Sequence, residues 1–359
     1  MKRYYIITIH CIHNFGSVFQ SYALIRYLRS VGYEAQVIDY RPAYYSKGRN
    51  ALKAILSRTL HFIDYRKQHS KYERFISREI PKTSCEYHTI EELTSLAKDD
   101  AVFIAGGDQL WNSFHPCGRD DAYKLLFVAN KPKYAIGTSM GRNSFSEDEL
   151  KVVAQKIADF RYVGLREKST VEMLRPYTHV PVEHISDPVL LLDKQEYSRF
   201  IGDKPLIKEP YLLMYLADKS ELLEQTVSQT AKRMGLKVVH VCGFRKKCEC
   251  DYFLKATGPE DLLNLIYYSN FVVSASFHAT LFSLLFEKQF CTLLPEAGTN
   301  TRIEDLLSFL GISNRIVRNA TELKQLQNNI DFNQVTPILI RFAKDSREQI
   351  KQTLLNINQ

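Results

Sequence analysis

The feature that most constrains the fold is a regular alternation of short apolar runs with segments of helical spacing. YYIITI (4–9) is typical of a buried strand, and apolar residues then recur at helical spacing from Val18 to Leu28, until Gly32 ends the pattern. AQVIDY (35–40) predicts the next strand. Strand, helix and strand in this order predict parallel pairing, because the helix returns the chain to the start of the sheet.

The alternation continues through the rest of the chain. AVFIA (101–105) precedes a glycine pair, KYAIGTSMG (133–141) repeats the theme, and HISDPVLLL (184–192) predicts a last strand of this half. A second series of alternating strands and helices begins at about residue 210. Two series of this kind indicate two separate sheets.

A chain of 359 residues is long enough for two domains. We therefore predict an α/β protein with two Rossmann-like, doubly wound domains, residues 1–195 and 196–359, with the last helix packing back on the first domain. The carboxyl ends of both sets of strands are expected to line a cleft between the domains.

The segment 47–78 breaks the alternation and is rich in Lys and Arg with interleaved aromatic residues. We interpret it as a solvated helical insertion, with peripheral contact to an anionic membrane surface or a diphosphate as the alternative. The formal charge of +8 favours anionic partners. Nucleic acid is not expected, because no recognisable nucleic-acid-binding module accompanies the charge.

Composition places the chain among soluble proteins. Its apolar N-terminal run stops at His10, and an apolar stretch long enough to span a membrane is not found. Seven scattered cysteines fit a reducing compartment, and the close pair in CEC (248–250) lacks the second pair that a zinc site would need. We expect a cytoplasmic protein, located at the inner face of the membrane if the basic insertion binds lipid, and without a metal.

The stretch FVVSASFHATLFSLLF (271–286) predicts a strand that turns directly into a buried helix. His278 lies near the junction, where the first helical N–H groups are unpaired and attract anions. Hydroxyl groups of Ser274, Ser276 and Thr280 surround it. By itself this pattern favours a structural histidine over a substrate-binding one.

Several segments, taken together and in order, resemble the polysaccharide pyruvyl transferase family. They span nearly the whole chain: NFGSVFQSYAL (14–24), GYEAQVIDYRP (32–42), FIAGGDQLWN (103–112), YAIGTSMG (134–141), VGLREKST (163–170), SDPVLLL (186–192), SASFHATLFSLLF (274–286) and NTRIEDLLSFLG (300–311). The resemblance implies a GT-B-like architecture. It also implies an enzyme that forms a pyruvate ketal on a sugar of a cell-surface or capsular polysaccharide precursor, with phosphoenolpyruvate as donor and co-substrate, release of phosphate, and no other cofactor.

The resemblance also implies roles for individual residues. The acceptor is expected to be a sugar or a lipid-linked oligosaccharide. The catalytic candidates are His278 and Asp108; the donor-binding candidates are Arg166, Ser276, His278 and Arg302; the acceptor-binding candidates are Asn14, Gly16, Gln20, Asp108 and Gln109. These chemical types suit the reaction, which needs cations for the donor, a proton donor for its methylene carbon and a base for the sugar hydroxyl.

Each role has a structural alternative. Arg166 could pair with Glu167 or another carboxylate, and Asp108 could cap the next helix. Asn14, Gly16 and Gln20 could belong to a turn with an N-cap serine, Ser17, and Arg302 could be a surface residue. Some family members carry an arginine where this chain has Ser276, so one donor cation is missing or supplied elsewhere.

Two other functions compete with pyruvyl transfer. A glycosyltransferase that uses a nucleotide sugar would have the same two-domain layout, but many retaining enzymes of that type carry two glutamates eight positions apart, and Glu287 and Glu296 are nine apart. A noncatalytic carbohydrate-binding relative would not need Arg166 and His278, which are both present with their neighbours.

Overall fold

A computed structural model describes residues 2–45, 61–241, 243, 245–294, 300–326 and 328–355. The chain divides into two compact units. The first consists of the described residues within Met1–Arg49, Ile76–Leu192 and Ile340–Gln359, and the second of those within Asn50–Phe75 and Asp193–Leu339. Residues 47–60 of the predicted basic insertion lie outside the described residues.

The first unit is built on a seven-stranded parallel sheet in the order β3-β2-β1-β4-β5-β6-β7. Its strands are β1 (Arg3–Ile7), β2 (Glu34–Tyr40), β3 (Lys82–Tyr87), β4 (Ala101–Ala105), β5 (Lys133–Thr138), β6 (Tyr162–Leu165) and β7 (Val182–His184). All residues of β4 and β5 are buried, and this explains the continuous apolar sequence of β4, since helices cover both faces of a parallel sheet.

The helices in this part of the chain, in order, are α1 (Phe15–Ser30), α2 (Phe62–Glu79), α3 (Ile90–Leu93), α4 (Pro116–Arg119), α5 (Glu147–Lys156) and α6 (Lys168–Leu174). Helix α2 begins in the residues of the second unit and ends in those of the first. A capping box formed by Ser146 and Glu149 starts α5, and each side chain bonds the backbone N–H of the other residue.

The second unit contains a six-stranded parallel sheet in the order β10-β9-β8-β11-β12-β13. Its strands are β8 (Tyr211–Tyr215), β9 (Lys237–Val241), β10 (Tyr252–Leu254), β11 (Phe271–Ser274), β12 (Gln289–Leu293) and β13 (Ile316–Val317). The remaining helices are α7 (Lys194–Ser198), α8 (Glu221–Met234), α9 (Pro259–Tyr267), α10 (Phe277–Leu285), α11 (Thr301–Phe309), α12 (Ala320–Gln325) and α13 (Phe332–Leu355).

The strand predicted at residues 184–192 is mostly wrong. Strand β7 ends at His184, and Pro188–Leu191 form a 3₁₀ turn. Proline has no N–H to donate to a strand ladder, and the side chain of Asp187 instead accepts a hydrogen bond of 2.8 Å from Val189 N, which starts the turn. The apolar run is buried, but in a turn rather than in the sheet.

Residues 340–355 of α13 belong to the first unit. There Tyr27 Oη donates a hydrogen bond of 2.6 Å to the carbonyl of Arg347, and Ser186 N donates one of 2.9 Å to Ser346 Oγ. The guanidinium of Arg347 also donates to the carbonyl of Leu191, at 3.4 Å. These bonds fix the end of the chain to α1 and to the turn after β7. Among the described residues, none of the helices is both long and apolar enough to cross a membrane.

Candidate active site

In both sheets the strand order reverses between two neighbouring central strands, β1 and β4 in the first and β8 and β11 in the second. Doubly wound proteins bind their ligands at such a switch point, at the carboxyl ends of the strands, because the connections diverge there and leave a crevice. The catalytic candidates Asp108 and His278 follow β4 and β11 respectively, so each lies at the switch point of its own sheet.

Hydrogen bonds hold the backbone at Asp108 in place. Thr8 Oγ1, after β1, donates to the carbonyl of Gly107 at 3.1 Å, and Ser139 N donates to the carbonyl of Asp108 at 3.0 Å. Asp108 has a φ of 81°, in the left-handed region that few residues other than Gly, Asn and Asp adopt readily. The strand end is therefore fixed in a bent conformation that carries the carboxylate.

Hydrogen-bond donors and a cation contact the Asp108 carboxylate. Ser17 Oγ donates to Oδ2 at 2.5 Å, Gln109 N donates to Oδ1 at 2.8 Å, and Nη2 of Arg166 lies 3.9 Å from Oδ1. The alternative role as an N-cap is wrong, because the next helix, α4, begins only at Pro116. The carboxylate oxygens therefore face donors and a cation at the end of β4.

Arg166 follows β6 and its side chain is almost completely buried. Its Nη1 donates to Asp187 Oδ2, so the guanidinium pairs with a carboxylate, as the structural alternative predicted. The partner is not Glu167, which accepts hydrogen bonds from Ser139 Oγ and from Gly141 N instead. Removing one member of a buried pair leaves an uncompensated charge, so Arg166 and Asp187 depend on each other. The donor contact of Arg166 stays a prediction.

The first strand-to-helix loop is arranged differently from the predicted turn. The N-cap of α1 is Asn14, whose Oδ1 accepts from Ser17 N at 3.1 Å, so the proposed serine cap is wrong. This frees the Ser17 hydroxyl for Asp108. Gly16 lies in the first turn of α1 and is buried.

Gln20 and Gln109 occupy different environments in this unit. Gln20 is fully buried, and its Nε2 donates to Thr8 Oγ1 at 2.7 Å and to Ser17 O at 2.9 Å, which links α1 to the end of β1. Gln109 is half-buried, and its Oε1 accepts from Asn112 Nδ2 at 2.7 Å. The acceptor contacts of Asn14, Gly16, Gln20 and Gln109 stay predictions.

In the second unit, β11 leads directly into α10, as the sequence predicted. Ser276 is the N-cap of α10, and its Oγ accepts from Ala279 N at 3.3 Å. This explains a serine where some family members carry arginine, since an arginine side chain has no acceptor for a helical N–H. The cap leaves His278 in the first turn of the helix, where it is buried.

Arg302 is also buried, in the first turn of α11, so the alternative of a surface arginine is wrong. Its guanidinium carbon lies 5.2 Å from the centre of the Phe277 ring, and the His278 ring lies edge-on to the same phenyl group at 5.3 Å. A cation, an imidazole and the amino ends of two helices therefore belong to one cluster. Such a cluster suits an anionic ligand.

A second buried cluster lies after β1 and was not predicted. His10 Nε2 lies 2.8 Å from Asp39 Oδ1, and Asp39 also accepts from Arg41 Nε at 2.7 Å and Lys82 Nζ at 2.6 Å. Burial alone would raise the pKa of Asp39, but the hydrogen bonds from His10, Arg41 and Lys82 outweigh it and hold the pKa well below its usual range. The cluster fixes the loop that carries Asn14.

The fold and these switch-point residues define a two-unit α/β protein of the GT-B class, as predicted. Three solved structures of low sequence identity share this fold. UDP-N-acetylglucosamine 2-epimerase from Rickettsia bellii is 13% identical, with a TM-score of 0.55, over 99% of this chain and 96% of that chain. The S. aureus MnaA–UDP co-structure is 14% identical, with a TM-score of 0.57, over 99% of this chain and 97% of that chain. The trehalose 6-phosphate synthase from Burkholderia multivorans is 10% identical, with a TM-score of 0.53, over 100% of this chain and 97% of that chain.

The sequence itself identifies the family. The sequence profile of the polysaccharide pyruvyl transferases matches residues 14–295, and the chain belongs to that family. The resemblance noted in the motifs is thereby confirmed. A comparison with curated proteins gave no significant match.

Proposed function

We propose that the protein is a phosphoenolpyruvate-dependent pyruvyltransferase that forms a pyruvate ketal on a sugar of a cell-surface or capsular polysaccharide precursor. The observation that carries the proposal is the position of Asp108 and His278 at the switch points of their sheets, each among the groups that its role requires. Family membership gives the reaction class, pyruvyl transfer to a polysaccharide.

The reaction balances with one acid and one base. Asp108 accepts the proton of one sugar hydroxyl, whose oxygen bonds to C2 of phosphoenolpyruvate, while a proton is delivered to the methylene carbon, which becomes a methyl group. The second hydroxyl bonds to the same carbon and the C2–O bond to phosphate breaks. Of the two hydroxyl protons, one is in effect retained in the methyl group and the other leaves with phosphate.

The donor is assigned to the cluster of His278 and Arg302, with Arg166 as a further cation. His278 delivers the proton to the methylene carbon or donates a hydrogen bond to the phosphate, and Arg302 neutralises the carboxylate or the phosphate. Ser276 contributes by starting α10 and aligning the first N–H groups of the helix. The reaction as written needs no cofactor besides the co-substrate.

The acceptor is a sugar or a lipid-linked oligosaccharide. The basic insertion is interpreted as a solvated helix, with peripheral contact to anionic lipid as the alternative. In the described part of that insertion, Lys71 Nζ pairs with Asp261 at 2.6 Å, and Gln68 Nε2 donates to the carbonyl of Thr257 at 3.3 Å. Co-sedimentation with phosphatidylglycerol vesicles, compared with phosphatidylcholine vesicles, tests the contact. Equal sedimentation with both would rule it out.

The reaction is tested by measuring phosphate release from phosphoenolpyruvate with a panel of mono- and oligosaccharide acceptors. The proposal predicts release that requires both the donor and one particular class of acceptor. Phosphoenolpyruvate should also raise the melting temperature more than UDP-sugars do, through mass action. The reverse ranking would indicate a nucleotide-sugar glycosyltransferase, and binding of sugars without turnover would indicate a noncatalytic carbohydrate-binding protein.

A further inference from the structure

The first unit contains a cavity of about 370 Å³ that none of the assigned roles uses. Its walls come from three places: the segment 111–119, the segment 140–145 and one face of α5. The buried side chains of Trp111, Met140 and Val153 provide apolar walls. The volume falls within the range of pockets that hold small molecules, about 300–1,000 Å³.

Arg142 is the most constrained polar group of this pocket. Its Nη2 donates to Ser113 Oγ at 2.8 Å and to Glu149 Oε1 at 2.6 Å. The rings of Phe114 and Phe145 lie 4.2 and 4.5 Å from its guanidinium carbon. The side chain is therefore fixed before any ligand arrives, so that little conformational entropy would be lost on binding.

One donor of this guanidinium is not used. Arg142 is about nine-tenths buried, and its Nε has no hydrogen-bond partner among the described residues. Leaving a charged donor without a partner in a buried position is costly, so a ligand oxygen at this edge would offset the cost. The pocket thus combines apolar walls with a rigid guanidinium that has a donor available for a polar ligand atom.

The pocket is lined by charges of both signs, the cations Arg119, Arg142 and Lys156 and the carboxylates Asp148 and Glu149, which largely compensate each other. Arg142 is paired with Glu149, and Lys156 Nζ is paired with Asp121 at 2.5 Å. This balance does not favour a strongly anionic ligand over a neutral one. A sugar ring fits better, because its C–H face packs on apolar and aromatic surfaces while its hydroxyls bond to fixed donors and acceptors.

The pocket is structurally continuous with the loop of the predicted acceptor residues. Trp111 lies three residues after Asp108, and Asn112 connects the two parts. Asn112 Nδ2 donates to Gln109 Oε1 at 2.7 Å, and its Oδ1 accepts from Phe114 N at 3.1 Å. One hydrogen-bonded loop therefore carries both the proposed base and the pocket wall.

We infer that this pocket is a subsite for a second sugar residue of the acceptor, next along the saccharide to the sugar that receives pyruvate. That the bound saccharide belongs to the acceptor rests on the proposed function. The class of ligand, a neutral saccharide, rests on the pocket itself.

Trp111 provides a direct reporter, because it is the single tryptophan of the chain and lines the pocket. The experiment titrates the full-length protein with a panel of neutral di- and trisaccharides in the absence of phosphoenolpyruvate and follows Trp111 fluorescence. We expect a saturable change with at least one saccharide, and weaker binding of its constituent monosaccharides. Phe114→Ala should weaken binding roughly fivefold, because it removes one of the two rings that hold the Arg142 guanidinium in place.

The variants are chosen so that folding does not obscure the result. Phe114 is 66% exposed, and the matched control Ile340→Ala replaces a side chain that is 59% exposed elsewhere in the same unit. The control should bind like the wild type, whereas Arg142→Lys, which loses the planar fork, should bind more weakly. The readout for each variant is the saccharide dissociation constant, taken together with its melting temperature.

The subsite is overturned if no saccharide changes the fluorescence, or if Phe114→Ala and Arg142→Lys leave the dissociation constant unchanged. The titration needs no donor, so its failure is distinguishable from failure of the proposed function. Saccharide binding without pyruvyl transfer would overturn the reaction and leave the subsite. Pyruvyl transfer without a fluorescence response would overturn the subsite and leave the reaction.

Discussion

Arg166 lies between two carboxylates of the first unit: its Nη1 pairs with Asp187, and its Nη2 lies 3.9 Å from Asp108 Oδ1. The three residues come from the end of β4, the end of β6 and the turn that follows β7. Asp187 anchors the guanidinium, and the guanidinium in turn faces the proposed base. A substitution of Arg166 is therefore expected to affect Asp108 as well as the predicted contact with the donor.

The role of Asp108 is tested by Asp108→Asn. Asparagine tolerates the left-handed backbone at a φ of 81° and can still accept hydrogen bonds, so the fold should be retained, but it cannot take a proton. We expect kcat to fall on the order of a hundredfold or more, with little change in melting temperature. The exposed Asp203, replaced by Asn, serves as the control. Full activity of Asp108→Asn would exclude its role as a base.

His278→Ala and His278→Gln together separate two roles of the histidine. If it delivers a proton, both variants should lose turnover on the order of a hundredfold or more, since neither side chain can supply one. If it only donates a hydrogen bond to the donor, the Gln variant should keep substantial activity. Turnover and melting curves are measured for each. Lower melting temperatures with normal activity per folded molecule would mean that His278 is structural.

Arg166→Lys keeps the charge but loses the planar fork that binds carboxylate or phosphate. We expect the affinity for phosphoenolpyruvate to fall by roughly one to two kcal/mol, or about tenfold. The melting temperature should also fall, because the buried pair with Asp187 is weakened. Isothermal titration with phosphoenolpyruvate gives the donor affinity. A variant that binds the donor normally and loses only acceptor turnover would show that Arg166 acts through Asp108 alone.

A pH dependence is predicted for the stability of the second unit. Burial, with a smaller contribution from Lys247 and Lys246, lowers the pKa of His240 to about 4. The unfolded chain, with a histidine pKa of about 6.5, binds this proton more readily than the folded one, so stability should fall as pH decreases from about 6.5 to 4. His240→Phe, which cannot be protonated, should flatten the slope.

The measurement is a series of melting temperatures between pH 4.5 and 7 for the wild type and His240→Phe. His179→Asn, at an exposed position, controls for the loss of a histidine and should follow the wild-type slope. An unchanged slope in His240→Phe would mean that the buried ring does not govern this part of the pH dependence.

Much of the fold could be predicted, because parallel strands covered on both faces give continuous apolar runs such as AVFIA in β4. The order of strands and helices also identified the loop that carries Asp108 and the start of the helix that carries His278. The failure at residues 184–192 arose because apolar content does not distinguish a buried strand from a buried turn. The proline at position 188 was the signal that could have shown the difference.

The contacts within the site could not be predicted in the same way. Asp187 is 21 residues from Arg166, and Asp39 is 29 residues from His10. Sequence patterns place such residues at one edge of a sheet but do not say which side chains meet, because that depends on strand register and rotamers. Arg142 was missed for the same reason. A partial signal was present, because Arg142 opens the segment RNSF (142–145), which ends in an aromatic residue, as does the similar segment WNSF (111–114).

The most direct test of the account follows the donor carbon itself. Phosphoenolpyruvate labelled with ¹³C at C2 is incubated with the protein and the acceptor that supports phosphate release, and the purified product is analysed by NMR and mass spectrometry. If the protein transfers pyruvate, the label appears in a quaternary ketal carbon bonded to two acceptor oxygens, with a mass gain of one pyruvate less one water. Label that remains in phosphoenolpyruvate or appears only as free pyruvate, while a nucleotide sugar yields a glycosylated product, would contradict it.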